Sequence, residues 1–146
     1  LTELTKLFLN DFTERNEWKI LNVSSTASFL PGPWQAVYFA TKAYVQSFTN
    51  ALVEELAEAN ITVTNLMPGP TETEFGKTSG MDKTSMFEHT ASAKAVAEAW
   101  YEAMLEGKID QIAGVSLWQK FLLWIIPFVP KKMLLGMIYQ QQKIKK

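Results

Sequence analysis

The chain has no cysteine and only one histidine, His89, among its 146 residues. Without cysteine there can be no disulfide bond or thiolate metal site, and a single histidine argues against zinc, so we predict no metal. A cysteine-free composition is typical of a reducing compartment, and we expect the protein in the cytoplasm. The seven glycines include no G-x-G cluster, so no glycine-rich phosphate loop is expected within this chain.

Hydrophobic residues make up 47% of the sequence, which is enough for a packed core and too many for a disordered chain. The net charge of −1 is distributed unevenly. Residues 107–146 hold seven lysines and one acidic residue, a net charge of +6 that leaves −7 on the first 106 residues. This asymmetry predicts either a solvated basic C-terminus or a tail that meets an anionic surface. We expect no nucleic-acid partner.

The hydrophobic pattern predicts strands that alternate with helices. We expect helices over residues 2–12, 35–59 and 90–106, strands over 19–23, 61–67 and 109–115, and a polar loop with a short helix over 71–88. Such alternation predicts an α/β fold with a parallel sheet, in which ligands bind at the carboxyl ends of the strands. The second helix is apolar on almost every side, which predicts burial against the sheet and against a second chain.

A tyrosine–lysine pair follows a pair of serines. Tyr38 and Lys42 lie four residues apart near the start of a predicted helix, so they share one helix face. Free tyrosine has a pKa of about 10, and a cation beside a phenol favours the phenolate, so such a pair can transfer a proton near neutral pH. Ser25 ends the run Asn-Val-Ser-Ser and could hold a substrate oxygen near the phenol. Pro31 and Pro33 prevent one continuous helix through both motifs.

The order Asn-Val-Ser-Ser, Tyr-x-x-x-Lys and then Pro-Gly-Pro-Thr-Glu-Thr after a strand resembles the short-chain dehydrogenase/reductase family. The resemblance covers nearly the whole chain but only the C-terminal part of the family's doubly wound, Rossmann-like domain. It implies that residues 1–116 belong to that domain and that residues 117–146 form a hydrophobic, basic helical tail. The family's phosphate loop, its Asn-Ala-Gly motif and its catalytic asparagine are expected upstream of Leu1. The chain alone is therefore expected to be inactive.

The resemblance also implies an activity and its catalytic residues. The protein would be an NAD- or NADP-dependent oxidoreductase, with Tyr38 as general acid and base. Lys42 would favour the phenolate and hydrogen-bond the nicotinamide ribose. Ser25 would hold and polarise the substrate oxygen, whereas Ser24 would turn away.

The proline-glycine loop after the second strand is the implied nicotinamide contact. In the family the main chain of this loop, here Pro68 and Gly69, meets the carboxamide of the cofactor. Thr73 matches a threonine that assists there. Thr71 stands where the family more often has valine or isoleucine, although its backbone could still serve.

Two loops, over residues 27–34 and 73–87, would border the substrate. Their apolar side chains predict a bulky hydrophobic ketone or secondary alcohol rather than a small polar sugar. The residues of this border are Phe29, Leu30, Trp34, Phe75, Met81, Met86 and Phe87. We assign substrate binding to Ala27, Phe29, Trp34 and Phe75.

The second predicted helix, residues 35–59, pairs with its copy from another subunit in the family, so a homodimer or homotetramer is expected. Candidate outward positions are Phe39, Val45 and Leu56. The tail is too short for a membrane span, which needs about 20 apolar residues. Two interpretations of the tail stay open: a helical pair that covers the substrate pocket or a partner subunit, or a helix lying on a membrane surface.

Two other functions also remain possible from the sequence. One is a dehydrogenase-like interaction module without catalysis. The other is a membrane-surface protein, peripheral to the bilayer, that acts through its tail.

Overall fold

The computed structural model describes residues 1–15 and 18–143. Its strands are β1 (Trp18–Val23), β2 (Ile61–Pro68) and β3 (Asp110–Ala113). Its helices are α1 (Thr2–Arg15), α2 (Ala36–Glu55), α3 (Glu74–Ser79), α4 (Ala93–Leu105), α5 (Leu117–Ile125) and α6 (Lys131–Gln141). Short 3₁₀ turns occur at Thr26–Phe29, Met81–Lys83, Ser85–Phe87 and Ile126–Phe128. The predicted alternation of strands and helices is confirmed.

The three strands form a parallel sheet in the order β1-β2-β3. Val23 pairs with Leu66, and Pro68 pairs with Ala113, so the carboxyl ends of all three strands lie at one edge. The ladder continues past the strand ends, where Ser24 donates its N–H to the Leu66 carbonyl at 2.8 Å. The predicted α/β fold class is thereby confirmed, and the motifs that follow β1 and β2 meet at this edge.

Helices α2 and α4 cover opposite faces of the sheet. Ile61 and Val63 of β2 pack with Leu52 and Leu56 in the main hydrophobic core. Thr62, between them in sequence, faces Gly107 just after α4. Successive side chains of a strand point to opposite faces, so the two helices lie on either side of β2. This double cover explains why the strand carries a nearly continuous apolar run.

The second predicted helix is shorter than expected, and its outward face differs. Helix α2 ends at Glu55, and residues 56–60 continue as turns up to Asn60, whose φ is 35°. Two proposed outward positions, Phe39 and Leu56, are wrong, because both side chains are buried within the chain. Val45 is half-buried. A stripe that includes Val37 and Tyr44 is exposed instead, since these positions point away from the sheet.

The C-terminal segment folds as two helices joined by a proline turn. Ser116 caps α5 in a capping box: its side chain accepts from the Gln119 N–H, and the Gln119 side chain accepts from the Ser116 N–H. Helix α6 buries Ile138 against the body of the chain. No helix in the described part of the chain combines the length and hydrophobicity needed to cross a bilayer. The division into residues 1–116 and 117–146 stays a prediction.

Candidate active site

One cavity of about 250 Å³ opens at the carboxyl edge of the sheet. Ser25, Tyr38 and Lys42 all line it, although they come from the end of β1 and from α2. The proline-glycine loop after β2 supplies the opposite wall through Pro68, Gly69, Thr71 and Thr73. The sequence motifs, separated by up to 48 positions along the chain (Ser25 to Thr73), therefore converge on one space.

Lys42 is anchored at the end of the first strand. Its Nζ donates to the carbonyl of Val23 at 3.0 Å and lies 5.9 Å from the centroid of the Tyr38 ring. Desolvation by partial burial lowers the pKa of this ammonium below its usual value of 10.5. The spacing of four residues puts both side chains on one face of α2, as the sequence predicts. The positive charge of Lys42 is thus held beside the phenol inside the cavity.

The two serines after β1 have different surroundings. The Ser25 hydroxyl accepts from the Ala27 N–H at 3.1 Å and donates weakly to the Pro68 carbonyl at 3.4 Å. Ser24 is buried, and its hydroxyl donates to Asn65 Oδ1 at 2.7 Å. Ser25 can therefore rotate its proton towards a bound oxygen at little cost, since a 3.4 Å bond is weak. Ser24 is committed to the interior.

Gly69 is required by close packing of its loop. Its N–H donates to the Ala113 carbonyl at 2.9 Å, which continues the ladder beyond β2. A Cβ at this position would lie 2.4 Å from Val115 Cγ1 and 2.9 Å from the Gly114 carbonyl oxygen. The two threonines of the loop stabilise it locally: Thr71 Oγ1 donates to the Gly69 carbonyl, and Thr73 caps α3 through the Phe75 N–H.

The assigned substrate residues lie at different distances from the catalytic side chains. Ala27 and Phe75 line the cavity, and the Phe75 ring lies 5.7 Å from the Tyr38 ring. Trp34 instead lines a neighbouring cavity that shares the Tyr38 and Phe75 side chains. Phe29 is not among the residues that line either space. The rest of the apolar lining includes Leu30, Met81, Met86 and Phe87, all from the predicted border.

Two features of the site were not found by sequence reasoning. Trp100 of α4 adds an aromatic wall that its helical pattern had placed only in the core. Asn65, fully buried in β2, accepts from Ser24 and donates its Nδ2 to Asp110 Oδ1 at 2.8 Å. A polar residue in a buried apolar strand was the available signal, because buried amides need hydrogen-bond partners. This network fixes the chain just before Ser25.

Comparison with known proteins decides the family. The family model described as short chain dehydrogenase matches residues 1–84, more than half of the chain. This chain is a short-chain dehydrogenase/reductase family member. The matched segment includes β1, α2 and β2, and with them the serine, tyrosine–lysine and proline-glycine motifs.

Curated relatives of this short-chain dehydrogenase chain carry one recurrent name. A very-long-chain 3-oxoacyl-CoA reductase of Mus musculus is 39% identical over 75 residues, covering 51% of this chain and 24% of that protein. The protein of the same name from Anas platyrhynchos is 26% identical over 97% of this chain and 43% of its own length. This chain therefore spans less than half the length of these relatives.

Solved structures agree with the fold. A 7beta-hydroxysteroid dehydrogenase superposes with a TM-score of 0.75 at 19% identity, covering 94% of this chain and 54% of that one. A 3-ketoacyl-(acyl-carrier-protein) reductase from Brucella melitensis, complexed with NADH, gives a TM-score of 0.60 at 34% identity, covering 75% and 48%. The Rossmann-like fold class is confirmed, and this chain corresponds to about half of each structure.

Proposed function

We propose that the whole protein is an NAD(P)-dependent oxidoreductase that interconverts an apolar ketone and a secondary alcohol. The observation that carries this proposal is the convergence of Ser25, Tyr38 and Lys42 on one cavity at the carboxyl edge of a parallel sheet. A hydroxyl donor, a phenol and an ammonium in one apolar space are suited to proton transfer at a carbonyl oxygen. Ligands of open α/β sheets bind at this edge.

The residues around the cavity fit a nicotinamide cofactor. An ammonium has three N–H donors, and the Val23 carbonyl takes one from Lys42, so two remain for ribose hydroxyls. The backbone of Pro68 and Gly69, with Thr71 and Thr73, lies across the same cavity and would hold the carboxamide side. When bound, the dinucleotide supplies or takes up the hydride. We assign it as NAD or NADP.

In the reducing direction, the ketone oxygen accepts a hydrogen bond from Ser25 while Tyr38 transfers its phenolic proton to that oxygen. In the oxidising direction, Tyr38 takes the alcohol proton. The charge of Lys42 stabilises the phenolate that forms when the proton leaves, because an opposite charge nearby favours the ionised state. Ser25 can accept this role because its present bond to the Pro68 carbonyl is weak.

The substrate class follows from the lining of the cavity. Apolar side chains dominate the space outside the Ser25, Tyr38 and Lys42 groups, which favours a hydrophobic ketone over a hydrated sugar. The relatives named very-long-chain 3-oxoacyl-CoA reductases suggest the form of that ketone. We infer that the substrate is a 3-oxoacyl thioester with an apolar chain.

The test uses the natural full-length protein. Calorimetry with NADH and NADPH measures cofactor binding, and absorbance at the nicotinamide band then follows turnover with 3-oxoacyl thioesters, apolar cyclic ketones and sugars. We expect dinucleotide binding and preferential turnover of apolar ketones. Preference for sugars would contradict the substrate class. Absence of dinucleotide binding would contradict the proposal and favour a non-catalytic interaction module.

A second role, membrane contact through the tail, is supported by one exposed surface. Four aromatic rings follow each other along α5 and the turn after it, with successive centroids 5.5, 6.3 and 6.2 Å apart. They are Trp118, Phe121, Trp124 and Phe128, all exposed. Lys131 and Lys132 extend this surface and are also exposed. Aromatic rings beside lysines suit the interface of an anionic bilayer.

We expect the full-length protein to co-sediment with vesicles that contain phosphatidylserine, and to do so less in high salt. Replacing Trp124 and Phe128 by serine should weaken binding at least about tenfold, since burying an aromatic side chain contributes roughly 1.5–3 kcal/mol. Tyr101→Ser, at an exposed aromatic of α4, is the matched control. Equal sedimentation of both variants would exclude this surface as the membrane contact.

A further inference from the structure

A second apolar cavity of about 540 Å³ lies beside the catalytic one. Its lining includes Trp34, Ala36 and Val37 at the start of α2. Tyr38, Phe75 and Met81 line both cavities, so these three side chains form the partition between them. A methionine in that partition can change rotamer at low cost. The two spaces are therefore arranged so that one extended ligand could occupy both.

The rim of this second cavity is held by an aromatic contact with the C-terminal segment. The Trp34 side chain is 72% exposed, and its backbone has a φ of 69°, which is unusual and strained for a bulky residue. Its ring lies 5.5 Å from the ring of Tyr139 on α6. Lys143 Nζ lies 4.9 Å from the other aromatic partner, Tyr139. Helix α6 thus reaches the mouth of the cavity.

Helix α6 is attached to the body by few interactions. Ile138 is buried, and Ser85 Oγ donates to the Gln141 carbonyl at 2.9 Å. Gln142 is also buried, but neither polar atom of its side-chain amide has a partner among the described residues. A buried unpaired amide disfavours the docked position of the helix. The contact between Trp34 and Tyr139 can therefore open without the loss of an extensive interface.

We propose that the second cavity holds the distal part of a linear acyl chain whose carbonyl lies at Tyr38, and that Tyr139 on Trp34 closes the cavity over that chain. The inference rests on the proposed function, because it places the reacting carbonyl in the first cavity. The occupant is a straight chain rather than a fused ring system, because the partition of Tyr38, Phe75 and Met81 leaves passage between two spaces rather than one wide space.

The test measures kcat/KM of the full-length protein for 3-oxoacyl thioesters of increasing chain length. Each methylene that enters the cavity should raise kcat/KM by about fourfold until the cavity is full. Ala36→Trp places a large ring in the second cavity, and the ratio of long-chain to short-chain kcat/KM should fall at least about tenfold. Tyr139→Ala removes the cover and should lower the same ratio by about fivefold. Tyr101→Ala is the matched control and should keep the wild-type ratio.

A binding measurement separates this inference from the proposed function. A fluorescent long-chain fatty acid should bind the wild type and the Tyr101→Ala variant, and bind Ala36→Trp at least about tenfold more weakly. If the wild type reduces 3-oxoacyl thioesters but neither variant changes the length ratio, the inference is overturned and the function stands. Preference of the wild type for a polycyclic ketone over every linear one overturns the proposed occupant. If no ketone is reduced, the proposed function fails, and unchanged fatty-acid binding by Ala36→Trp then overturns the cavity assignment as well.

Discussion

Replacing Tyr38 by phenylalanine in the full-length protein is expected to lower turnover by about 10²–10⁴-fold, the usual contribution of general acid–base catalysis. The substitution removes only the hydroxyl, and the ring can keep its contact with Phe75 at 5.7 Å. Dinucleotide affinity should stay close to that of the wild type, since no cofactor contact other than the hydroxyl is lost. Steady-state kinetics and calorimetry measure the two quantities separately.

Lys42→Met provides the contrast. It should lower turnover and also weaken dinucleotide binding, because the same ammonium supports the phenolate and the ribose. An unchanged dinucleotide affinity in this variant would show that the ribose contact is wrongly assigned. Wild-type turnover in Tyr38→Phe would contradict the whole proton-transfer scheme.

Tyr44→Asp is expected to dissociate the assembly of the full-length protein. Apolar side chains of α1 and α2 share one exposed surface, which comprises Leu4, Leu7, Phe8, Val37 and Tyr44. Tyr44 stacks on Phe48 at 5.8 Å and hydrogen-bonds the hydroxyl of Thr2, which joins the two helices of this surface. We propose that it pairs with its copy, and a twofold interface buries each substitution twice. An unpaired buried charge costs about 3–5 kcal/mol, so the dimer should weaken at least about 100-fold.

Light scattering coupled to size-exclusion chromatography gives the mass directly. Tyr101→Asp, at an exposed tyrosine of α4 outside this surface, should leave the mass unchanged. Tyr44→Phe should also keep the assembly, because it retains the ring. A wild type that is monomeric at micromolar concentration would refute the dimer, and so would a Tyr44→Asp protein that keeps the wild-type mass.

The sequence predicted the fold class and the edge of the sheet where the motifs meet. Both depend on local signals, because apolar runs closed by Ser24 or by Pro68 mark the carboxyl ends of buried strands. Helix ends were less accurate: α4 begins at Ala93 rather than at Thr90, and α2 ends before Leu56. Several side chains near these ends can cap a helix, so the sequence alone does not choose among them.

The outward face of α2 was the main error. Hydrophobicity around the helix was too uniform to show which apolar side chains would meet the sheet. Phe39 is buried because Gly32 leaves space for its ring: a Cβ on that glycine would lie 2.1 Å from Phe39 Cδ2. Leu56 is buried because the turn after α2 folds it into the core with Ile61. Both outcomes depend on contacts between distant parts of the chain.

The sequence by itself determined the parallel α/β fold, the family, and the pairing of Tyr38 with Lys42, because helix periodicity places residues four apart on one face. Only the tertiary structure decided that Asn65 and Asp110 support the segment before Ser25, that Trp100 lines the cavity, and that Trp34 meets Tyr139. These contacts join residues far apart in the chain, and they depend on how whole elements pack. A local pattern carries no information about such packing.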